Sequence, residues 1–225
     1  MKISVVIPVL NEEKTIGTTL QALLSLDPFE VIVVDGGSAD QSVEICRRFD
    51  AKLERSERGR AHQMNHGARQ ASGDVLLFLH ADTRLPRSAL ADIAVALREP
   101  RYLGGRFDVE LEGRHWMLKI IAALINLRSR ATKIGTGDQA LFVRREVFER
   151  IGGFQEIPLM EDVAFCCALK RLGDVACLRS RVVTSARRWE NDGVWRTIFR
   201  MWSLKSLYLA GVSPARLKTF YADTR

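Results

Sequence analysis

Val75-Leu76-Leu77-Phe78-Leu79-His80-Ala81-Asp82 decides how this chain folds. Five apolar residues in succession predict a strand covered on both faces, as in the middle of a parallel sheet. The run then breaks into a polar tip, with His80 and Asp82 two residues apart. In open α/β sheets, ligands bind in the crevice beyond the carboxyl ends of the strands. An imidazole and a carboxylate at that end could hold a divalent cation. Ordinary loop polars are the alternative.

Upstream, Ile3-Ser4-Val5-Val6-Ile7-Pro8 predicts a strand stopped by its proline. Asn11 is expected to cap the next helix, with Glu12 and Glu13 in its first turn. Ile16, Leu20, Leu23 and Leu24 mark that helix's apolar face. Val31 to Asp35 is a second continuous apolar strand, followed by a Gly36-Gly37-Ser38 turn. Asp40 is expected to cap a helix with Val43, Ile45, Cys46 and Phe49 on its apolar side. Ala51 to Glu57 is a weaker strand. A helix then runs from Arg60 to about Gln70, and another from Pro86 with Leu90, Ile93, Ala94 and Leu97 on its core face. Alternating strands and helices predict a parallel sheet with right-handed crossovers.

The pattern changes near Leu103. From Arg106 to Glu112 the residues alternate, with Phe107, Val109 and Leu111 on one side, as in a strand with one solvated face. Trp116 to Leu127 is strongly apolar but interrupted by Lys119. It is too short to span a bilayer, so it covers a groove or lies on a membrane. Gln139 to Val143, Val175 to Leu178 and Val182 to Ser185 are short strands. Helices are expected from about Glu146 to the Gly152-Gly153 pair and from Asp162 to Leu172. Gly193 to Ala210 carries Trp195, Ile198, Phe199, Trp202, Leu204, Leu207 and Tyr208 among Arg196, Arg200 and Lys205. Such an amphipathic helix either sits in a head-group layer or packs on its own domain.

Composition narrows the class. The 225 residues suffice for one substantial core, and 47% hydrophobic with 27% charged residues is ordinary for a soluble globular protein. A formal net charge of +7 favours anionic partners. The basic residues are interleaved with acidic ones rather than clustered, which argues against nucleic acid. The four cysteines have no metal-ligand spacing. No leader segment and no membrane span of ~18 apolar residues is visible. A cytoplasmic location is expected, with peripheral contact at the inner face of the cell membrane.

Several segments together resemble the family 2 glycosyltransferases. They are Val6-Ile7-Pro8-Val9-Leu10-Asn11-Glu12-Glu13, Val33-Val34-Asp35-Gly36-Gly37-Ser38-Ala39-Asp40 and Leu79-His80-Ala81-Asp82. Gly137-Asp138-Gln139, Glu161-Asp162 and Arg188-Trp189 are similar to later motifs of that family, in the right order. The resemblance implies a GT-A fold, a Rossmann-like, mostly parallel mixed sheet flanked by helices. It would occupy residues 1–190, with a nucleotide-binding half over 1–102 and an acceptor half over 103–190. A C-terminal helical extension over 191–225 follows.

The resemblance also implies an inverting transfer of one sugar from a UDP- or GDP-linked donor to an acceptor hydroxyl. Asp82 would hold Mn²⁺ or Mg²⁺ under the leaving diphosphate. Where the family usually has Asp-x-Asp, this chain has His80 in the first place, and an imidazole favours manganese. Asp35 would accept a hydrogen bond from the donor's base. Pro8, Val9, Asn11, Glu12 and Gly36 would line base and ribose. Arg60 would pair with phosphate or ribose, and Arg188 with the leaving diphosphate. Asp162 would be the general base. Gly137, Asp138, Gln139, Glu161 and Trp189 would meet the acceptor. Ser185 stands where processive members carry glutamine, so a single transfer is expected. The basic charge and the aromatic C-terminal stretch suggest a lipid or lipid-linked acceptor.

Two rivals share parts of this pattern. A sugar nucleotidyltransferase would use a glycine-rich loop after the first strand, and Pro8-Val9-Leu10-Asn11-Glu12-Glu13 has no such glycines. A peripheral-membrane module binding nucleotide-sugars without turnover would explain His80 and Ser185. A dehydrogenase is disfavoured, because no G-x-G-x-x-G follows the first strand.

Overall fold

The structure, a computed structural model, describes residues 1–113, 115–187, 196–197, 203–204, 207–208 and 211–219. Eight strands follow in chain order: β1 (Ile3–Val9), β2 (Glu30–Asp35), β3 (Lys52–Arg55), β4 (Val75–Phe78), β5 (Thr83–Arg84), β6 (Tyr102–Glu112), β7 (Leu141–Arg144) and β8 (Asp174–Ser185). The helices are α1 (Ile16–Leu24), α2 (Ser42–Cys46), α3 (Arg60–Gln70), α4 (Ala89–Ala96), α5 (Met117–Thr132), α6 (Arg145–Ile151), α7 (Glu161–Leu172) and α8 (Pro214–Thr219).

The strands make one mixed sheet in the order β3-β2-β1-β4-β7-β6-β8-β5. Parallel pairing joins β3, β2, β1 and β4, and joins β6 to β8. Strand β7 runs antiparallel between β4 and β6, and β5 runs antiparallel to β8. The chain steps from β1 to β2 to β3 in one direction, and α3 then carries it back across β1 to β4. Right-handed crossovers therefore put α1 and α2 on one face and α3 on the other. Ile16, Leu20, Leu23 and Cys46 pack with Val5, Ile7, Val33 and Leu77. Ala61, Met64 and Ala68 pack with Val6, Val34, Leu76 and Phe78. Helix α3 lies close to the sheet because Gly67 faces it: a Cβ there would fall 2.4 Å from Val6 Cγ1. The strand order reverses between β1 and β4, so the ends of β2, β1 and β4 open on one crevice.

Several local expectations change. Strand β1 does not stop at Pro8 but runs to Val9. Val9 O accepts from Gly36 N toward β2 at 2.9 Å. In a parallel ladder Pro8 then faces the other way, toward β4, whose pairing has ended at Phe78, so the missing N–H costs nothing. Asn11 does not cap α1, which starts at Ile16 after Thr15. Strand β6 is half-solvated only at its far end, where Glu110 and Glu112 are exposed on either side of buried Leu111; Arg106 and Asp108 are buried with Phe107 and Val109. Arg106 and Arg130 both donate to Asp108, so one inward carboxylate is shared by two guanidiniums. Strand β8 is one strand with an irregularity, its register jumping from Arg106–Cys177 to Asp108–Arg181.

Helix α5 is pinned to β6 by Asn126, whose amide donates to Val109 O at 2.9 Å and accepts from Val109 N at 2.8 Å. Of the C-terminal stretch, Leu204 and Leu217 are buried against Met160 and Val163, and Tyr208 packs there too. Trp195, Ile198, Phe199, Arg200, Trp202 and Lys205 lie outside the described residues. No described helix is long and apolar enough to cross a membrane.

Candidate active site

The crevice wall over β1 and β2 is built from two loops laced together. Asn11 takes the left-handed conformation (φ 53), which asparagine tolerates. Its N–H donates to Ser38 Oγ at 3.0 Å, and its Oδ1 accepts from Ala39 N at 2.9 Å. Glu12 N donates to Ser42 Oγ at 2.8 Å, and Glu13 Oε2 accepts from Gln41 N at 3.1 Å. Asp35 ends β2 with its carboxylate turned into its own turn, accepting from Gly37 N and Ser38 N, each at 3.0 Å. Pro8, Val9 and Gly36 are buried at the ends of the two strands. Beneath them Gln63 Nε2 donates to Val9 O at 2.7 Å and Val34 O at 2.8 Å. Gly36 is glycine by contact, since a Cβ would lie 2.9 Å from Gln63 Cδ. Nothing in the polar pattern of α3 marks Gln63 as the side chain that ties the strand ends together.

Two ion pairs cross the crevice. Glu12 is buried and meets Arg187 Nη2 at 3.2 Å. Arg60 Nη1 meets Glu161 Oε1 at 3.2 Å. Both expected donor contacts, Glu12 and Arg60, thus hold a carboxylate–guanidinium partner, and Glu161 is buried in its pair rather than presented to solvent. Arg187 was not anticipated from sequence. Arg188 and Trp189 lie outside the described residues.

The opposite wall centres on Asp162, in the first turn of α7. Its Oδ2 accepts from Gly137 N at 2.8 Å and its Oδ1 from Val163 N at 2.7 Å. Burial pushes this carboxyl up to about 6, and the charge of Glu161 pushes the same way. The Gly137 hydrogen bond and the Arg60 charge oppose the rise. Gly137 opens a 3-10 turn (Gly137–Gln139) boxed by Thr136 and Gln139. A Cβ on Gly137 would fall 2.4 Å from His80 Nε2, so the imidazole lies against this turn. Asp162, Gly137 and His80 therefore meet, although 25 and 57 residues separate the neighbours in sequence.

The remaining members of that group divide. Asp138 accepts from Thr136 Oγ1 beside the turn. Gln139, expected to face an acceptor, is fully buried. Its Nε2 donates to Ser129 Oγ at 3.0 Å and Phe107 O at 3.2 Å, so it braces the turn from behind. Arg128 is a cation that sequence did not single out. Burial pulls its pKa below the ordinary value, and the charges of Asp138 and Asp162 oppose that shift.

Gly137→Ala is expected to force the turn and the imidazole apart, costing about 1–3 kcal/mol as overpacking does. Losing the Gly137–Asp162 bond should also raise the Asp162 pKa further. Denaturant melts and a carboxyl-detected NMR titration would measure both.

A metal would have to be shared with a ligand. Among the described residues no three His, Cys, Asp or Glu side chains converge. Mg²⁺-type sites need only one or two carboxylates and complete their shell with substrate phosphates and water. Asp82, at the β4 tip, accepts a long hydrogen bond from Thr83 Oγ1 at 3.4 Å, and Ser185 N donates to its backbone oxygen at 3.3 Å. The nearby His80 adds a nitrogen donor. These residues fit a shared site.

Comparison with known proteins agrees with this architecture. The model of the family described as Glycosyl transferase family 2 matches residues 4–153. A probable glycosyltransferase of Bacillus subtilis, YdaM, is 26% identical over 230 residues, covering 88% of this chain and 53% of that protein. An undecaprenyl-phosphate 4-deoxy-4-formamido-L-arabinose transferase of Serratia proteamaculans is 27% identical over 64% of this chain and 48% of its own length. The chain thus spans about half the length of these two relatives. The solved mannosyltransferase PcManGT of Pyrobaculum calidifontis, in complex with GDP-Man and Mn²⁺, superposes with a TM-score of 0.69 at 24% identity. That match covers 97% of this chain and 67% of the neighbour, and it establishes the shared fold.

Proposed function

The chain belongs to glycosyl transferase family 2, and on that premise we propose that it moves one sugar from a UDP- or GDP-linked donor to an acceptor hydroxyl, with inversion at the anomeric carbon. Residues 1–102 serve the donor and 103–190 the acceptor. One observation carries the proposal: Asp162, with its raised pKa, is tied by Gly137 N to the turn that touches His80 at the tip of β4. A carboxyl titrating near 6 is a better proton acceptor at neutral pH than an ordinary aspartate, and is still mostly ionised there.

In the step proposed, the acceptor oxygen attacks the anomeric carbon and the bond to the diphosphate breaks. Asp162 takes the hydroxyl proton on a carboxylate oxygen. Asp82 and His80 would hold a divalent cation, Mn²⁺ or Mg²⁺, which when bound neutralises the departing diphosphate as a Lewis acid. The complex of the Pyrobaculum neighbour with GDP-Man and Mn²⁺ supports this cation. Arg187 and Arg60 stand near the same end and can exchange their carboxylate partners for phosphate oxygens. The Serratia relative, named for undecaprenyl-phosphate, supports a lipid-linked acceptor. Peripheral contact with the inner face of the cell membrane fits that acceptor.

The test is a melting panel of nucleoside diphosphates and sugar nucleotides with and without Mn²⁺. A ligand at 100 times its Kd adds about 2.7 kcal/mol. At roughly 2–4 °C per kcal/mol for a chain of this size, that is a rise of roughly 5–10 °C. UDP or GDP should give it only with Mn²⁺, and Asp82→Asn should abolish the Mn²⁺-dependent part. A panel without any nucleotide response would overturn the proposal. Metal-dependent release of nucleoside diphosphate from a sugar nucleotide separates an enzyme from a module that only binds.

A further inference from the structure

We infer that the outer face of α5 docks on an anionic lipid bilayer and sets the acceptor turn at the level of the head groups. The docking stands on its own observations, and only the delivery of an acceptor rests on the proposed transfer.

Trp116, Ile120, Leu124 and Leu127 are 67%, 47%, 54% and 66% exposed. At about 100° per residue they fall within an arc of about 80° on one side of the helix. Leu118, Ile121, Ala122 and Ser129 occupy the other side and are buried. Single exposed apolar residues are normal on a protein surface, but a row of four large ones marks a surface meant to be covered.

The charges around the row name what covers it. The 16 residues of α5 include no acid. Lys119 is exposed beside the row and Lys133 just beyond the helix, whereas Arg130 is held by Asp108 and Arg128 is part-buried in the field of Asp138 and Asp162. A helix with Trp and Leu on one face and cations at its margins lies in the head-group layer, its apolar side chains in the acyl boundary. Lysines at the margin keep their ammonium groups at the phosphates while their stems lie on the apolar surface. A second copy of the chain fits less well. A two-fold contact through this face would bring Lys119 and Lys133 of both copies near one another, and α5 itself carries no acid to balance them.

The position of α5 gives the contact a use. Four residues after the helix cap Lys133 comes Gly137, the residue that touches His80 and binds Asp162. Asn126 holds α5 on β6 by both halves of its amide. A bilayer against α5 therefore fixes the height of the catalytic carboxyl above it.

The test is flotation of the full chain with vesicles of phosphatidylcholine alone or with added phosphatidylglycerol. No donor and no acceptor lipid are present, so a failed transfer reaction has no bearing on the result. The chain should float with the anionic vesicles and be released by high salt, and Ile120→Asp with Leu124→Asp should weaken binding at least tenfold. Both side chains are exposed, so the double variant should keep the wild-type melt; Trp116→Ala, a milder change, should give an intermediate loss. Chain that stays at the bottom of the gradient, or a double variant that floats as well as wild type, overturns the inference. A wild-type dimer that the double variant converts to monomer would assign the face to a second copy instead.

Discussion

Asp162→Asn should lower the turnover number by about 10²–10⁴-fold, the usual worth of a positioned general base, while donor affinity measured by calorimetry stays within about threefold. The geometry permits this separation. The asparagine oxygen can still accept from Gly137 N, which bonds Asp162 at 2.8 Å, so the turn keeps its anchor. Unimpaired turnover in the variant would remove the base from this position. The wild-type pH profile supplies a second readout. With the carboxyl raised to about 6, kcat/KM should climb with pH through that value and level off above it, and Asp162→Asn should lose this limb.

The same shift has a stability consequence of definite sign. The folded chain holds the Asp162 proton more tightly than the unfolded chain, whose carboxyl titrates at the ordinary 3.8. Between about 4 and 6 the folded state therefore binds more protons, and stability falls as pH rises. The contribution is fully present below 3.8 and is lost as pH passes through about 6. Wild-type Tm should drop relative to Asp162→Asn between pH 4 and pH 7.5.

The largest stability effect is expected at Asp108. Arg106 is fully buried, and its guanidinium donates to Asp108 and to Phe107 O at 3.2 Å. Arg130 donates to the other oxygen of the same carboxylate. Asp108→Ala leaves an uncompensated charge inside the sheet, which costs about 3–5 kcal/mol when one partner of a buried pair is removed. Urea unfolding should show a lower midpoint with an unchanged slope. Pairing the change with Arg106→Met should restore much of the loss, because an apolar pair of similar volume needs no charge balance. If the single variant is as stable as wild type, the cluster contributes nothing. Phe107 O also receives Gln139 Nε2, so activity should suffer in Asp108→Ala beyond what unfolding explains.

How much of this was legible in the sequence depends on the range of the forces involved. The strands β1, β2 and β4 could be read directly, because continuous apolar runs admit little but burial on both faces. Their parallel pairing followed from the alternation of strands and helices, though not their order in the sheet, and the polar tip at His80 and Asp82 followed from where the apolar run stopped. Arg106 and Asp108 were not legible. They alternate with Phe107 and Val109 as solvated residues would, and Arg130, which closes the cluster, sits on a helix whose packing no local pattern encodes. Gln139 misled for a related reason. A polar residue beside Gly137 and Asp138 looks available to a ligand, and only the inward hydrogen bonds to Ser129 and Phe107 turn it away. Glu12 and Arg60 were singled out from the first half of the chain, but the residues that pair with them, Arg187 and Glu161, come from the far half, beyond the reach of any local pattern.

The lacing of the loop after β1 to the loop after β2 limits how this crevice can diversify. Asn11 and Ser38–Ala39 exchange bonds in both directions, and Glu12 and Glu13 repeat the exchange with Ser42 and Gln41. An insertion in one loop would break register with the other along its whole length. Changes in donor preference should therefore be inherited as matched pairs across the seam, and single swaps there should be strongly non-additive with their partners.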